Sequence, residues 1–234
     1  MRNLLLLPFL VPLLAACAGQ GTVPAKQANG FDPYQFAKSD VDRVAETHQR
    51  EIFHDLRLLT EKLYRRNPRE LKKSGQATVS AGVARIFLNR REWKFAELGN
   101  AQGAQAIHLA FLEEYQGDRV LALIAGLGGM IQSAFNNNTE FFVLDDLDPQ
   151  NLYNAARNVE IAVWKLSHDR NARGELFLLS NEAAGPVQNL SFEREFGKLI
   201  NSLDVLSKIV AGKNDRIVTK VVQSLATAVF LPIK

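Results

Sequence analysis

The chain has 234 residues, 47% of them hydrophobic and 23% charged, the balance of a folded globular protein and not of a disordered or fibrous one. Its 28 Lys and Arg against 25 Asp and Glu leave a formal charge of +3, too small a surplus to predict a nucleic-acid partner. A single cysteine excludes an intrachain disulfide framework, so packing alone has to hold the fold.

In chain order, Met1-Arg2-Asn3 gives a short positive start and Leu4 to Leu14 an apolar run interrupted only by Pro8 and Pro12. That run is too short for a hydrocarbon core, which needs roughly 20 residues, and it reads as a secretory signal. Its last four residues, Leu14-Ala15-Ala16-Cys17, resemble the lipobox of bacterial lipoproteins; the resemblance is confined to this leader. It implies cleavage after residue 16, with covalent diacylglycerol and an N-acyl group such as palmitate on Cys17, and no other cofactor is expected. Ala18, standing where an aspartate commonly retains lipoproteins in the inner membrane, implies the periplasmic face of the bacterial outer membrane, with the membrane as a partner through the anchor. Residues 17–38 are expected to be the acylated N-terminus and a flexible tether: Ala18 to Gly30 carries no helical or strand period. Phe31, Tyr34 and Phe36 are the candidates to dock it.

Residues 39–234 predict a single helical domain. Ser39 is a good N-cap, and Val41, Val44, His48, Ile52, Leu56, Leu59 and Leu63 recur at spacings of three and four down to about Arg66, one apolar stripe that requires partner helices. Asn67-Pro68 starts a short helix ending near Gly75, and Thr78 to Leu88 forms the next. The turn Asn89-Arg90-Arg91-Glu92 leads to Trp93 and Phe95, and a Gly-rich joint, 99–103, leads to a helix from Ala104 to Tyr115. Asp118 then caps a helix from Arg119 to Phe135 that is apolar nearly all round, the mark of a segment buried on most sides. Gly126 and Gly129 within it are candidates for a ligand site or for close helix packing.

Beyond the Asn136-Asn137-Asn138 loop, residues 141–144 and 176–179 are two short apolar pieces able to pair as a β-hairpin. Between them Asp148-Pro149 opens a helix to about Arg170. After the turn Gly185-Pro186, Ser191 caps a helix to Gly212, and Asn214 caps a last one, with Val218, Val221, Val222, Leu225 and Val229 inward, closing at Pro232. The fold class is therefore all-α, a bundle of about six to eight helices with room for one short hairpin.

The chemistry-bearing residues form no recognisable catalytic pattern. Glu51 and His54 have the spacing of a bundle metal motif, but no second copy occurs, and Asp145-Asp146-Leu147-Asp148 lacks the glycine and distal glutamate of a calcium loop. No metal site and no catalytic residue is predicted. Glycan cleavage needs two facing carboxylates, whereas Glu113 with Glu114 and Glu193 with Glu195 stand too close along one helix to face each other. Arg65, Arg66, Arg69, Lys72 and Lys73 form a candidate patch toward an anionic surface. The expectation is a non-catalytic adaptor or scaffold for an envelope protein; the alternative is a carrier or sensor of an apolar ligand held between helices, and the third a cell-wall-acting enzyme.

Overall fold

In the computed structural model, which describes residues 38–88, 92–142, 146–182 and 188–234, the all-α expectation holds: the described residues contain seven α-helices and no strand longer than an isolated bridge. The leader with Cys17, the tether and its aromatics, the basic turn at Asn89 to Arg91 and the Gly185-Pro186 turn lie outside the described residues. Helix α1 (Asp40–Arg66) begins with a reciprocal capping box: the Ser39 hydroxyl accepts from the Asp42 amide, and the Asp42 carboxylate accepts from the Ser39 amide at 2.7 Å. Two otherwise orphaned donors are thereby satisfied. The apolar stripe is as expected from Ile52 to Leu63, but in the first turns Val41, Val44 and His48 are only half-buried while Asp42, Ala45 and Gln49 face inward. Specific polar partners turn that end of the face: Gln49 donates to the Asn138 carbonyl at 2.7 Å and Asp42 pairs with Lys213 at 3.3 Å.

Helix α2 (Pro68–Lys73) starts on a proline, as its missing N–H allows. Asn67 does not cap it with its side chain. The amide instead donates to the Leu63 and Leu179 carbonyls and accepts from the Leu179 N–H, hooking the segment before residue 180 onto the end of α1. Among the described residues no hairpin forms: Leu176 bridges to Arg170 and Phe141 and Phe142 join no ladder, while Val143 and Leu144 lie outside the described residues. Helix α3 (Val79–Leu88) keeps its expected span, and a 3₁₀ turn at Ala96–Leu98 follows.

Helix α4 (Gly103–Ala110) stops short of the expected Tyr115. The cause is Arg119, whose guanidinium donates to the carbonyls of Ala110, Leu112 and Tyr115 at 2.8–2.9 Å and so ties that stretch into a turn. Helix α5 (Arg119–Ala134) is the core of the molecule. Asp118 caps it by accepting from the Val120 and Leu121 amides, and every residue except Gly129 and Ser133 is buried. Helices α1 to α4 and α6 all pack on it. Helix α6 (Pro149–His168) and helix α7 (Ser191–Lys213) pack along each other, joined by the Ser207 hydroxyl on the Pro149 carbonyl and by the Arg157–Asp204 ion pair. Helix α7 also runs antiparallel to α1, since Lys213 meets Asp42 at one end and Glu195 approaches Lys62 at 3.6 Å at the other.

The last expected helix does not exist. Residues 214–234 form an extended strap with one 3₁₀ turn at Leu225–Thr227. Valine-rich sequence has little helical preference of its own, and the strap's main chain is bonded by side chains of α6 in place of its own carbonyls. Val222 and Val229, which the helix would have turned inward, are 98% and 73% exposed.

Candidate functional site

Pro149 starts α6 with three asparagines spaced so that Asn151, Asn154 and Asn158 share one face. All three are buried, and an amide group removed from water has to find partners. They find the strap. Asn158 donates to the Leu231 carbonyl at 2.8 Å and accepts from the Leu231 amide at 2.6 Å. Asn151 treats Lys234 in the same two-bond way, at 2.7 and 3.1 Å. Asn154 donates to the Pro232 carbonyl at 2.8 Å; proline has no N–H to return, and the Asn154 Oδ1 accepts from Gln150 instead. Gln150 itself exchanges two bonds with Thr219, and the Tyr153 hydroxyl accepts from the Val221 amide. Helix α6 therefore presents a ladder of amides that reads an extended main chain. Phe230 and Ile233 turn inward and pack against the core.

The strap is also one wall of a cleft of about 590 Å³, whose other side is made by Trp93, Gly103, Gly129, Met130 and Asn137. Trp93, Gly103 and Asn137 all hold positive φ, at 52°, 52° and 60°. For a tryptophan that backbone is strained, and packing holds it: the indole stacks on Phe53, meets Phe87 edge-on and lies over Gly128, where a Cβ would come within 2.3 Å of the ring.

The two glycines singled out from sequence play different parts. A Cβ on Gly126 would meet the Gly103 carbonyl and the Ile107 amide at 2.7 Å, so Gly126 is a helix-packing site where α4 and α5 come together. Gly129 lines the cleft. The five basic residues lie along the end of α1 and on α2, where Arg65 pairs with Glu61, Arg66 with Glu182 and Lys73 with Glu70; Arg69 and Lys72 are exposed. Glu113 accepts from the Ala172 amide, Glu193 from Asn181, and Glu195 is held by Lys198 at 2.7 Å. Among the described residues no group of three or more His, Cys, Asp and Glu side chains is placed to hold a metal ion.

A second buried polar cluster joins α1, α2 and α5. Tyr64 donates to Asp118 at 2.6 Å, and the Arg119 amide donates to Glu70 at 2.8 Å. Burial pushes the Asp118 carboxyl up to about 6, opposed by the hydrogen bonds from Tyr64 and the α5 amides, and it drives the Tyr64 hydroxyl far above its ordinary value. Tyr64 and Asp118 fix the start of α5 from inside the core, while Glu70 and Arg119 also line a cleft of about 750 Å³ beside Arg66, Arg69 and Glu113. The asparagine ladder is absent from the sequence expectations; its signal is three asparagines at helical spacing in a single helix despite their poor helix propensity, beside an apolar face whose periodicity is stronger. The chain matches no known protein family, no curated protein is detectably similar to it, and no solved structure matches it.

Proposed function

We propose that this chain is a periplasm-facing lipoprotein of the bacterial outer membrane, anchored through Cys17, whose helical body is a non-catalytic adaptor for another envelope protein. The leader supports the anchor: Leu14-Ala15-Ala16-Cys17 places the chain's single cysteine where acylation requires it. No described helix is long and apolar enough to cross a membrane. The strap supports the adaptor role, because Ile217, Val222 and Val229 are exposed along it and offer apolar side chains for a protein partner to cover. Affinity capture of tagged, full-length protein from detergent-solubilised membranes is expected to recover a reproducible partner at near-stoichiometric yield. Repeated capture of the bait alone overturns the reading.

A second reading, a carrier of a small ligand, is favoured by the cleft between Trp93, Met130 and Phe230. Its Glu92, Lys94, Gln102 and Asn137 edges suit an amphipathic occupant better than a purely apolar one. Saturable quenching of the indole by a fatty acid or lysolipid would support it, and a flat titration would remove it.

A further inference from the structure

We infer that the asparagine face of α6 is a binding groove for an extended peptide of the partner protein, and that the strap fills it in cis until that peptide displaces it. The inference rests on the adaptor reading and names the site through which it works.

Three observations converge on the groove. First, Asn151, Asn154 and Asn158 are at most 7% exposed, and each donates its amide N–H to a main-chain carbonyl of the strap. Recognition of that kind is blind to the occupant's side chains and requires only an extended backbone, as in peptide capture by main-chain pairing. Second, side-chain selection is left to two inward positions three apart, Phe230 and Ile233, both packed on the core. The matching occupant carries an aromatic residue followed three positions later by an aliphatic one. Third, the present occupant is joined to α7 by an arm whose Ile217 and Val222 are almost wholly exposed. That arm is held by polar contacts, Gln150 with Thr219, Tyr153 with Val221 and Arg216 with Asp146, which water can replace, so release of the strap exposes little further apolar surface apart from the groove. Displacement would also remove the wall formed by Phe230 to Ile233 and open the cleft beside Gly129, giving the incoming chain further surface.

A strap held in cis competes at an effective concentration of order millimolar, so the intact chain binds a free peptide weakly. The probe is a fluorescent synthetic peptide of residues 228–234 added to full-length protein. Replacing both Phe230→Ala and Ile233→Ala in the chain weakens its own strap and is expected to raise the affinity for the probe about tenfold. Adding Asn154→Ala to that protein is expected to reverse the gain. Circular dichroism establishes that each variant keeps its helices. Should the strap-weakened chain fail to fold, hydrogen exchange on the unaltered protein decides: saturating probe should speed exchange of the Leu231 amide, which is bonded to Asn158, and leave α5 amides protected. No binding to the folded strap-weakened chain, or no change at Leu231, overturns the inference. Strap-exchanged dimers at the probe concentrations overturn it as well, because the occupant is then a second copy of this chain. Failures of the two readings differ: a native partner captured equally by Asn154→Ala leaves the adaptor standing without this groove, and a bound probe with no native partner leaves the groove without the adaptor.

Discussion

Close approach at single positions decides whether the core can close. At Gly126 an added methyl would meet backbone atoms of α4 at 2.7 Å, and backbone cannot turn aside as a flexible side chain can. Gly126→Ala is therefore expected to cost about 1–3 kcal/mol, the range for overpacking, read as a lower urea midpoint. Gly197, exposed on α7, has nothing within 4 Å of its missing Cβ, and Gly197→Ala should instead stabilise by up to about 1 kcal/mol through helix propensity. Asp118 gives a pH test. Its carboxyl titrates near 3.8 when unfolded and at about 6 when folded, chiefly because burial disfavours its charge. Between those values the folded chain holds a proton that the unfolded chain has lost, so this group's contribution to stability falls as pH rises through the window. Urea titrations across about pH 4 to 6.5 are expected to show the wild type losing stability with rising pH relative to Asp118→Asn, which keeps a capping oxygen but cannot ionise. A difference between the two proteins that does not change with pH would refute the assignment.

Helices whose limits are set locally were legible from sequence, and elements set by distant partners were not. Ser39 with Asp42, Pro68, Asp118 and Pro149 announce the starts of α1, α2, α5 and α6 by caps within a few residues. The burial of α5 follows from its all-round apolar pattern. The end of α4 is illegible because carbonyls up to nine residues away go to the Arg119 guanidinium, which no periodicity records. The strap is illegible for a stronger form of the same reason: its partners on α6 lie 68 to 83 residues back in the chain, and a valine every three or four residues fits a helix until something else takes the main chain. The same logic predicts the energetics of the element. Asn158→Leu should leave the Leu231 amide and carbonyl unbonded at a cost of about 1–3 kcal/mol. Differential scanning calorimetry should show a lower melting temperature with the helical content unchanged, since the seven helices are packed mainly on one another.

At the scale of the whole molecule, the proposed reading joins a body that folds by packing alone to a leader that assigns it an address, and makes the two separable. The described residues all belong to one compact unit, Tyr34–Lys234, whose buried core draws on each of α1, α3, α4, α5, α6 and α7. None of that core needs the cysteine. Cys17→Ser should therefore remove acylation without unfolding the helices, and the precursor should remain unprocessed because the peptidase acts only after the thiol is lipidated. Metabolic labelling with a radioactive fatty acid, combined with membrane fractionation and limited proteolysis, tests each part: no label on the variant, the wild-type protease-resistant fragment retained, and no mature-length species in the outer-membrane fraction. If the serine variant were processed and still partitioned with membranes, attachment would have to come from the body itself. Its exposed apolar residues are concentrated on the strap, so Ile217→Ser with Val222→Ser would be the variant to separate surface adhesion from an acyl anchor.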